Sequence, residues 1–419
     1  MKKIYIKTLL LFLLAVLYTQ PALVFAHTDY EQSQALQAFE FSKVLERKFK
    51  DRENHSIANI NNQTNEEVRS ALFDWIKTIL NEYGIKSDQI VEQQFNNYAG
   101  NAADKFYGKN LLITLPGESH KKQIIVGAHY DGSGFGDNGS GVALILSLLV
   151  TLSKTSLPYD VTFVLFDAEE VGLVGSQYFV KKMNFFDKNK TLMMINIDSI
   201  AFGDYPNIYG GVYNPKENKV EQSEVYELAV KAAQKRNINV LRTKDLDGYY
   251  KKHGQGPPIK SNTLYSNPWT QENPAPNREG KGQLYVSPAS GGWGDHQSFV
   301  EVGIPYLHLE ATNWYAFDPE LFDEGFDGYY DTNDLTIGNK GRFMNTEFDT
   351  LEKLEEHFPN RLVKHFEVYG SLVTEILQHP DGSFKRKIDW FPIISIYGSI
   401  VIVFVCLGLV IIARRRKHL

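Results

Sequence analysis

The 419-residue sequence is 43% hydrophobic, enough for one large core or two smaller ones. Its 44 lysines and arginines against 50 aspartates and glutamates leave a net charge of −6, which excludes the basic surface that a nucleic-acid partner requires. The single cysteine, Cys406, excludes a fold stapled by disulfides within the chain, so stability has to come from a large core or from bound metal.

In chain order, Lys2, Lys3 and Lys7 precede an apolar stretch from Leu9 to Leu17, and the small residues around Val24-Phe25-Ala26 suit cleavage before His27. Residues 1–26 therefore read as a signal peptide. A polar segment of helical spacing, 27–95, follows. Within it Val68, Leu72, Trp75, Ile76, Ile79 and Leu80 form an apolar stripe behind Glu66 and Glu67, with Gly84 past the last turn, which predicts an amphipathic helix packed on the main domain. Asn110–Leu115 and Gln123–Ala128 read as neighbouring strands joined by the turn at Gly117. Val142–Leu152 is apolar nearly all round and predicts a buried helix. Val161–Phe166 is the next strand, Gly172–Lys182 a helix, Thr191–Ile197 a strand and Glu221–Lys235 a polar-faced helix.

Tyr249–Gly294 is rich in Gly, Pro and Asn without periodicity and predicts a rim beside a site. Strand character returns at Ile304–Leu309, and Leu351–Leu377 closes the domain with one or two helices. Strands alternating with helices predict an α/β fold: a mostly parallel, partly mixed sheet covered by helices on both faces, spanning 96–380. A charged linker, 381–389, leads to an apolar stretch, 390–413. At ~1.5 Å per residue Phe391–Ala413 is long enough to cross a ~30 Å hydrocarbon core. The basic tail 414–419, beginning Arg414-Arg415-Arg416-Lys417, would stay cytoplasmic, leaving the body outside the cell membrane on one C-terminal transmembrane helix.

The chemistry concentrates where apolar runs stop. His129 and Asp131 end one strand and, two apart, point to the same face. Asp137 follows in the Gly-rich turn Gly136-Asp137-Asn138-Gly139-Ser140-Gly141, where an aspartate capping the next helix is as natural as a metal ligand. Glu169 and Glu170 follow the next buried strand. Two adjacent carboxylates repel unless a cation or proton neutralises them, and their side chains diverge, so one can bind metal while the other handles protons. Asp198 ends Met193–Ile197, and His296 stands directly after the irregular segment. His308 reads as a core or partner histidine on a strand, while His357, His365 and His379 read as helix-surface residues. Oxygen donors mixed with imidazole suit zinc better than calcium.

The blocks AHYD, DNGSGVA, DAEEVGLVGS, NIDSI and DHQSF with GIPYLHL, in this order from about Asn110 to about Leu377, resemble the co-catalytic di-zinc aminopeptidases, the family-28 metallopeptidases, whose superfamily also holds glutamate carboxypeptidases and glutaminyl cyclases. The resemblance implies two Zn2+ ions per chain, one held by His129, Asp137 and Asp198, the other by Asp137, Glu170 and His296, with Asp137 bridging. It implies Glu169 as general base toward the attacking water and Asp131 as the carboxylate that orients His129. The substrate it implies is a peptide or protein with a free N-terminus.

Three departures accompany the resemblance: a short loop between His129 and Asp137, Asn345 where the family block begins with histidine, and Gly294 where the family often has serine before Asp-His. None of them touches a ligand named above, though the second bears on details around the pocket. Competing expectations are a glutaminyl cyclase-like or carboxypeptidase-like enzyme on the same fold, and a non-catalytic binding module, which would have eroded ligands. Side-chain preference and oligomeric state are not readable from the sequence.

Overall fold

The structure, a computed structural model, describes residues 32–53, 64–98, 106–204, 206–214, 219–221, 224–242, 263–266, 294–311, 313–317, 329–332 and 334–380. The predicted leader 1–26, linker, span 390–413 and basic tail lie outside the described residues, as does most of the predicted rim. Among the described residues no helix is long and apolar enough to cross a membrane.

The framework is a ten-stranded mixed sheet. Its strands are β1 (Ile90–Tyr98), β2 (Phe106–Leu115), β3 (Ser119–His129), β4 (Tyr159–Phe166), β5 (Thr191–Ile197), β6 (Pro206–Asn214), β7 (Lys219–Glu221), β8 (Asn239–Arg242), β9 (Thr263–Ser266) and β10 (Tyr306–Ala311). The order is β1-β2-β4-β3-β5-β10-β6-β9-β8, with β7 beside β6. Strands β4, β3, β5 and β10 run parallel, so their carboxyl ends open on one edge. On one flank β1 and β2 pair antiparallel, and on the other β6 runs antiparallel to β10. A separate pair joins β11 (Asn313–Phe317) and β12 (Tyr329–Tyr330).

Period-2 alternation divides the strand residues between two layers. Ile124, Val126 and Ala128 of β3 and Phe163 and Leu165 of β4 face one core; Ile125, Val164 and Phe166 face the other. The larger core is filled by a helix over residues 32–48 (α1), by α2 (Thr64–Glu82), α3 (Gly139–Leu152) and α6 (Glu224–Lys235), and by α8 (Leu351–His357) and α9 (Arg361–Gln378). Helix α3 is buried along its whole length, as its uniformly apolar sequence requires, and each fully buried leucine or isoleucine there contributes ~1.5–3 kcal/mol. On the opposite face lie α4 (Val174–Lys182) and α7 (His296–Val300), through Phe179, Val180 and Phe299; α5 (Phe185–Lys190) leads into β5. Helices thus cover both faces.

Several expectations are corrected. β2 and β3 are not neighbours, because β4 inserts between them and pairs with both. The segment expected to be helical to residue 95 ends instead in strand β1, whose partner is β2. The aperiodic stretch after Tyr249 contains β9, four residues too short to show a period, which sits between β6 and β8. His365 is buried on α9, not exposed, with its Nδ1 2.8 Å from the carbonyl of Ile200.

Candidate active site and metal centre

The site lies where β3, β4 and β5 end. His129 is the last residue of β3, in register with Phe166 of β4, and the backbone N–H of Tyr130 donates to Phe166 at 2.9 Å. Asp198 follows β5 and is tied by its backbone N–H to Leu309 at 3.0 Å. Ligand-bearing loops at the carboxyl edge of parallel strands are what an open α/β sheet provides.

Asp137 arrives by another route. The Gly-rich turn folds so that Asn138, not Asp137, caps α3: its Oδ1 accepts the N–H of Gly141 at 3.0 Å. The Asn138 side chain also accepts the N–H of Ser199 at 3.2 Å and donates to the carbonyl of Ile197 at 2.9 Å, which welds the Asp137 turn to the turn carrying Asp198. A Cβ on Gly141 would come within 2.5 Å of the Ile197 carbonyl, so this close approach needs glycine. With Asn138 as the cap, Asp137 is released to face the site.

After β4 the chain turns sharply through Ala168, in the left-handed region at φ 59°, and Gly172, at φ 114°. The N–H groups of Gly172 and Leu173 both return to the carbonyl of Glu169 at 2.9 Å. A left-handed non-glycine residue costs of order 1–3 kcal/mol and is retained where surrounding structure demands it. Here it delivers Glu169 and Glu170 to the sheet edge, where Asp131 accepts both of their N–H groups, at 3.1 and 3.4 Å.

The side chains then converge. His129 Nε2 is 3.0 Å from Asp137 Oδ1 and 3.2 Å from Asp198 Oδ1, and its Nδ1 is 3.5 Å from Asp131 Oδ1. One donor atom each from His129, Asp137 and Glu170 lies within 4.8 Å of the others. Six of the seven sequence-predicted residues, His129, Asp131, Asp137, Glu169, Glu170 and Asp198, therefore share one locality.

His296 approaches the sheet edge from α7. Its ring stacks on Tyr306 at 4.7 Å and lies 4.3 Å from the ring of His308. His308 Nδ1 is 3.1 Å from Asn196 Nδ2, and that same amide is 3.5 Å from Asp198 Oδ2, so the His296–His308 ring pair is linked to the ligand-bearing turn of Asp198.

Electrostatics tests whether these residues suit a cation. Burial pushes the Glu169 carboxyl well above its ordinary range; His129 opposes this, while Asp198, Asp295 and Glu170 reinforce it. Glu170 keeps an exposed face, yet its carboxyl is pushed up to about 9, first by desolvation and then by Asp137. For His129, burial works to lower the pKa, but Asp198, Glu169, Asp131 and Asp137 raise it well above normal. Buried, crowded carboxylates that lack a counter-charge fit a site completed by a divalent cation, and mixed nitrogen and oxygen donors fit zinc.

Sequence reasoning missed Arg52, Asp349 and Asp295. Asp295 flanks α7, fully buried, its carboxyl raised to about 7, chiefly by burial, with His129 and Ser176 opposing and Asp198 and Asp131 adding. It was visible only as part of DHQSF. Asp349 was visible only as part of the block that begins at Asn345, and Arg52 offered no signal, since what it holds is the backbone of a distant loop.

Residues 110–250 match the profile of peptidase family M28. That segment is similar to the M28 peptidases. It contains His129, Asp131, Asp137, Glu169, Glu170 and Asp198, the residues that share the site. Among curated relatives, the alkaline phosphatase isozyme conversion protein of Escherichia coli (strain K12) is 24% identical over 314 residues, covering 69% of this chain and 77% of that one. Leucine aminopeptidase 2 of Trichophyton rubrum is 34% identical over 107 residues, 24% of this chain and 22% of the fungal protein, so the match spans about a fifth of that relative's length. The crystal structure of an Acidobacteriales bacterium glutaminyl cyclase superposes with a TM-score of 0.51 at 16% identity, covering 83% of this chain and 95% of that one, which shows a shared fold. The M28 segment thus lies within a fold also used by a glutaminyl cyclase.

Proposed function

We propose that this protein is a zinc-dependent M28-type peptidase, an aminopeptidase hydrolysing N-terminal residues from peptides or proteins, with two zinc ions per chain. The observation that carries this reading is the convergence of His129, Asp137 and Glu170 within 4.8 Å, with Asp198 at 3.2 Å from the same imidazole. His129, Asp137, Asp198 and Glu170 would hold the metal, Asp137 being shared, with His296 as the fifth ligand. Bound zinc would supply Lewis acidity, polarising the scissile carbonyl and making water acidic enough to attack it.

The chain's own residues supply the rest. Glu169 accepts the proton of the attacking water and returns it to the leaving amine, a task suited to a carboxylate whose pKa lies above the ordinary range. Asp131 holds the His129 ring on one side and the Glu169-Glu170 backbone on the other. A panel of amino-acid arylamides, assayed with and without chelator, tests the activity. Chelator-sensitive release is expected, and no release from any member contradicts the reading.

A second reading, a single-zinc glutaminyl cyclase-like enzyme that closes an N-terminal glutamine, is supported by the fold shared with a glutaminyl cyclase. Metal counting separates the two: two zincs per chain support the aminopeptidase, one supports the cyclase. The leader, the apolar stretch 390–413 and the basic tail support a membrane-tethered enzyme with its catalytic body outside the cytoplasm. Protease accessibility of the body in intact cells, with retention in the membrane fraction, tests that placement.

A further inference from the structure

The loop Tyr130–Asp137, which carries a candidate ligand at its far end, has few backbone partners of its own. Two residues from distant parts of the chain supply them. Arg52, just past α1 and 2% exposed, donates from Nε to the carbonyl of Tyr130 at 2.7 Å and from Nη2 to the carbonyl of Gly134 at 2.9 Å. Its own N–H donates to Gly132 at 3.1 Å. Alternate carbonyls of the loop, 130, 132 and 134, are thus all held by one residue. The guanidinium is anchored in turn by Nη1, which donates to Phe49 at 2.5 Å and to Lys50 at 3.2 Å.

Asp349 grips the other side. Its Oδ1 accepts the N–H of Gly136 at 2.6 Å, and its carbonyl accepts the N–H of Phe135 at 3.2 Å. A Cβ at Gly134 would sit 2.1 Å from Asp349 Oδ2, so the loop passes this carboxyl only because it has glycine there. Carbonyls on one side and N–H groups on the other are therefore satisfied by two residues that sit before and after the M28 match of residues 110–250.

We propose that Arg52 and Asp349 are positioning residues that hold the Tyr130–Asp137 backbone so that the Asp137 carboxylate meets His129 and Glu170, and that they thereby set the site's affinity for a divalent cation. The proposal rests on the reading of Asp137 as a metal ligand. Arg52 is chosen for shape as well as charge. Its planar fork reaches several carbonyls at once, which a lysine ammonium on a flexible stem does not. Its charge also lies close enough to Asp131, Asp349 and Asp137 to interact with all three. Burial holds the Asp349 carboxyl well above the ordinary range, so asparagine, neutral and of the same shape, is its nearest stand-in.

The test measures zinc affinity of the full chain in mild detergent by competition with a chromophoric chelator, so no turnover is required. Arg52→Lys and Asp349→Ala are expected to weaken zinc binding at least ~10-fold, the scale found for residues that orient ligands. Asp349→Asn, which keeps an acceptor toward Gly136, is expected to retain the wild-type affinity. Arg236→Lys is the control for mere destabilisation. That arginine is also buried, but it donates to Glu375 of α9 at 2.7 Å, and its variant is expected to melt lower with zinc affinity unchanged. Wild-type affinity in both Arg52→Lys and Asp349→Ala, with Asp137→Asn weakened, would overturn the proposal while leaving the ligand reading intact. Wild-type affinity in Asp137→Asn would overturn the ligand reading and this inference with it. Should Arg52→Lys not fold, the Asp349 pair decides alone.

Discussion

The carboxylate of Asp131 accepts the backbone N–H of Glu169 at 3.1 Å through the same oxygen that faces His129 Nδ1 at 3.5 Å. One buried side chain therefore lies between the imidazole at the end of β3, which it faces, and the glutamate turn at the end of β4, whose N–H groups it accepts. Removing it frees both. Asp131→Ala is expected to lower zinc affinity ~10–100-fold and to lower turnover with it, as loss of a carboxylate behind a ligating histidine does. Unchanged affinity, measured by chelator competition, would show that the ring and the turn are held by other means.

Metal removal should make stability depend on pH in a defined direction. The Glu170 carboxyl titrates at about 9 in the metal-free fold against an ordinary 4.5, and Glu169 is shifted the same way. Between those values the folded state keeps a proton that the unfolded state has released, so metal-free stability falls as pH rises from about 4.5 toward 9. Zinc neutralises the carboxylates and removes that loss. The melting temperature of chelated protein should therefore drop between about pH 6 and about pH 8.5, while zinc-loaded protein changes much less over the same range. Equal slopes with and without metal would contradict the clustering of these carboxylates.

His365 should show the opposite sign. Burial first, with Arg361 and Lys364 adding, lowers its pKa to about 3, against the hydrogen bond to Ile200, which raises it. Below the ordinary 6.5 the unfolded chain takes up a proton that the folded chain refuses until about 3, so stability present above 6.5 is lost as pH falls through this window. His365→Gln cannot take that proton. Its acid-side melting curve is expected to be flatter than the wild type's, and an identical acid limb would show that other groups govern it.

What was legible in the sequence was local. Apolar runs ending at His129, Glu169 and Asp198 announced strand ends, and glycine-rich spacing announced the Asp137 turn, because each pattern is carried by consecutive residues. Pairing was not legible: β4 lies between β2 and β3 although the chain makes β2 and β3 consecutively, and nothing in Asn110–Leu115 specifies which neighbour its hydrogen bonds seek. The alternative capping role for Asp137 was removed only by seeing Asn138 accept the Gly141 N–H. Arg52 was illegible for a plainer reason: its acceptors are backbone carbonyls, which every residue has. His365 looked like a surface residue on a helix whose neighbours Lys364 and Glu367 are polar, and it was buried by the Ile200 turn packing over it.

The central claim is that Glu169 moves protons while Glu170 holds metal, and one pair of variants tests it most directly. Glu169→Gln preserves shape but cannot accept a proton, and general-base catalysis is typically worth ~10²–10⁴-fold. The purified Glu169→Gln enzyme is expected to keep the wild-type zinc content while its kcat on an arylamide substrate falls at least ~100-fold. Glu170→Gln is expected to lose zinc along with activity. Near-normal turnover in Glu169→Gln, or zinc lost there and retained in Glu170→Gln, would contradict the account.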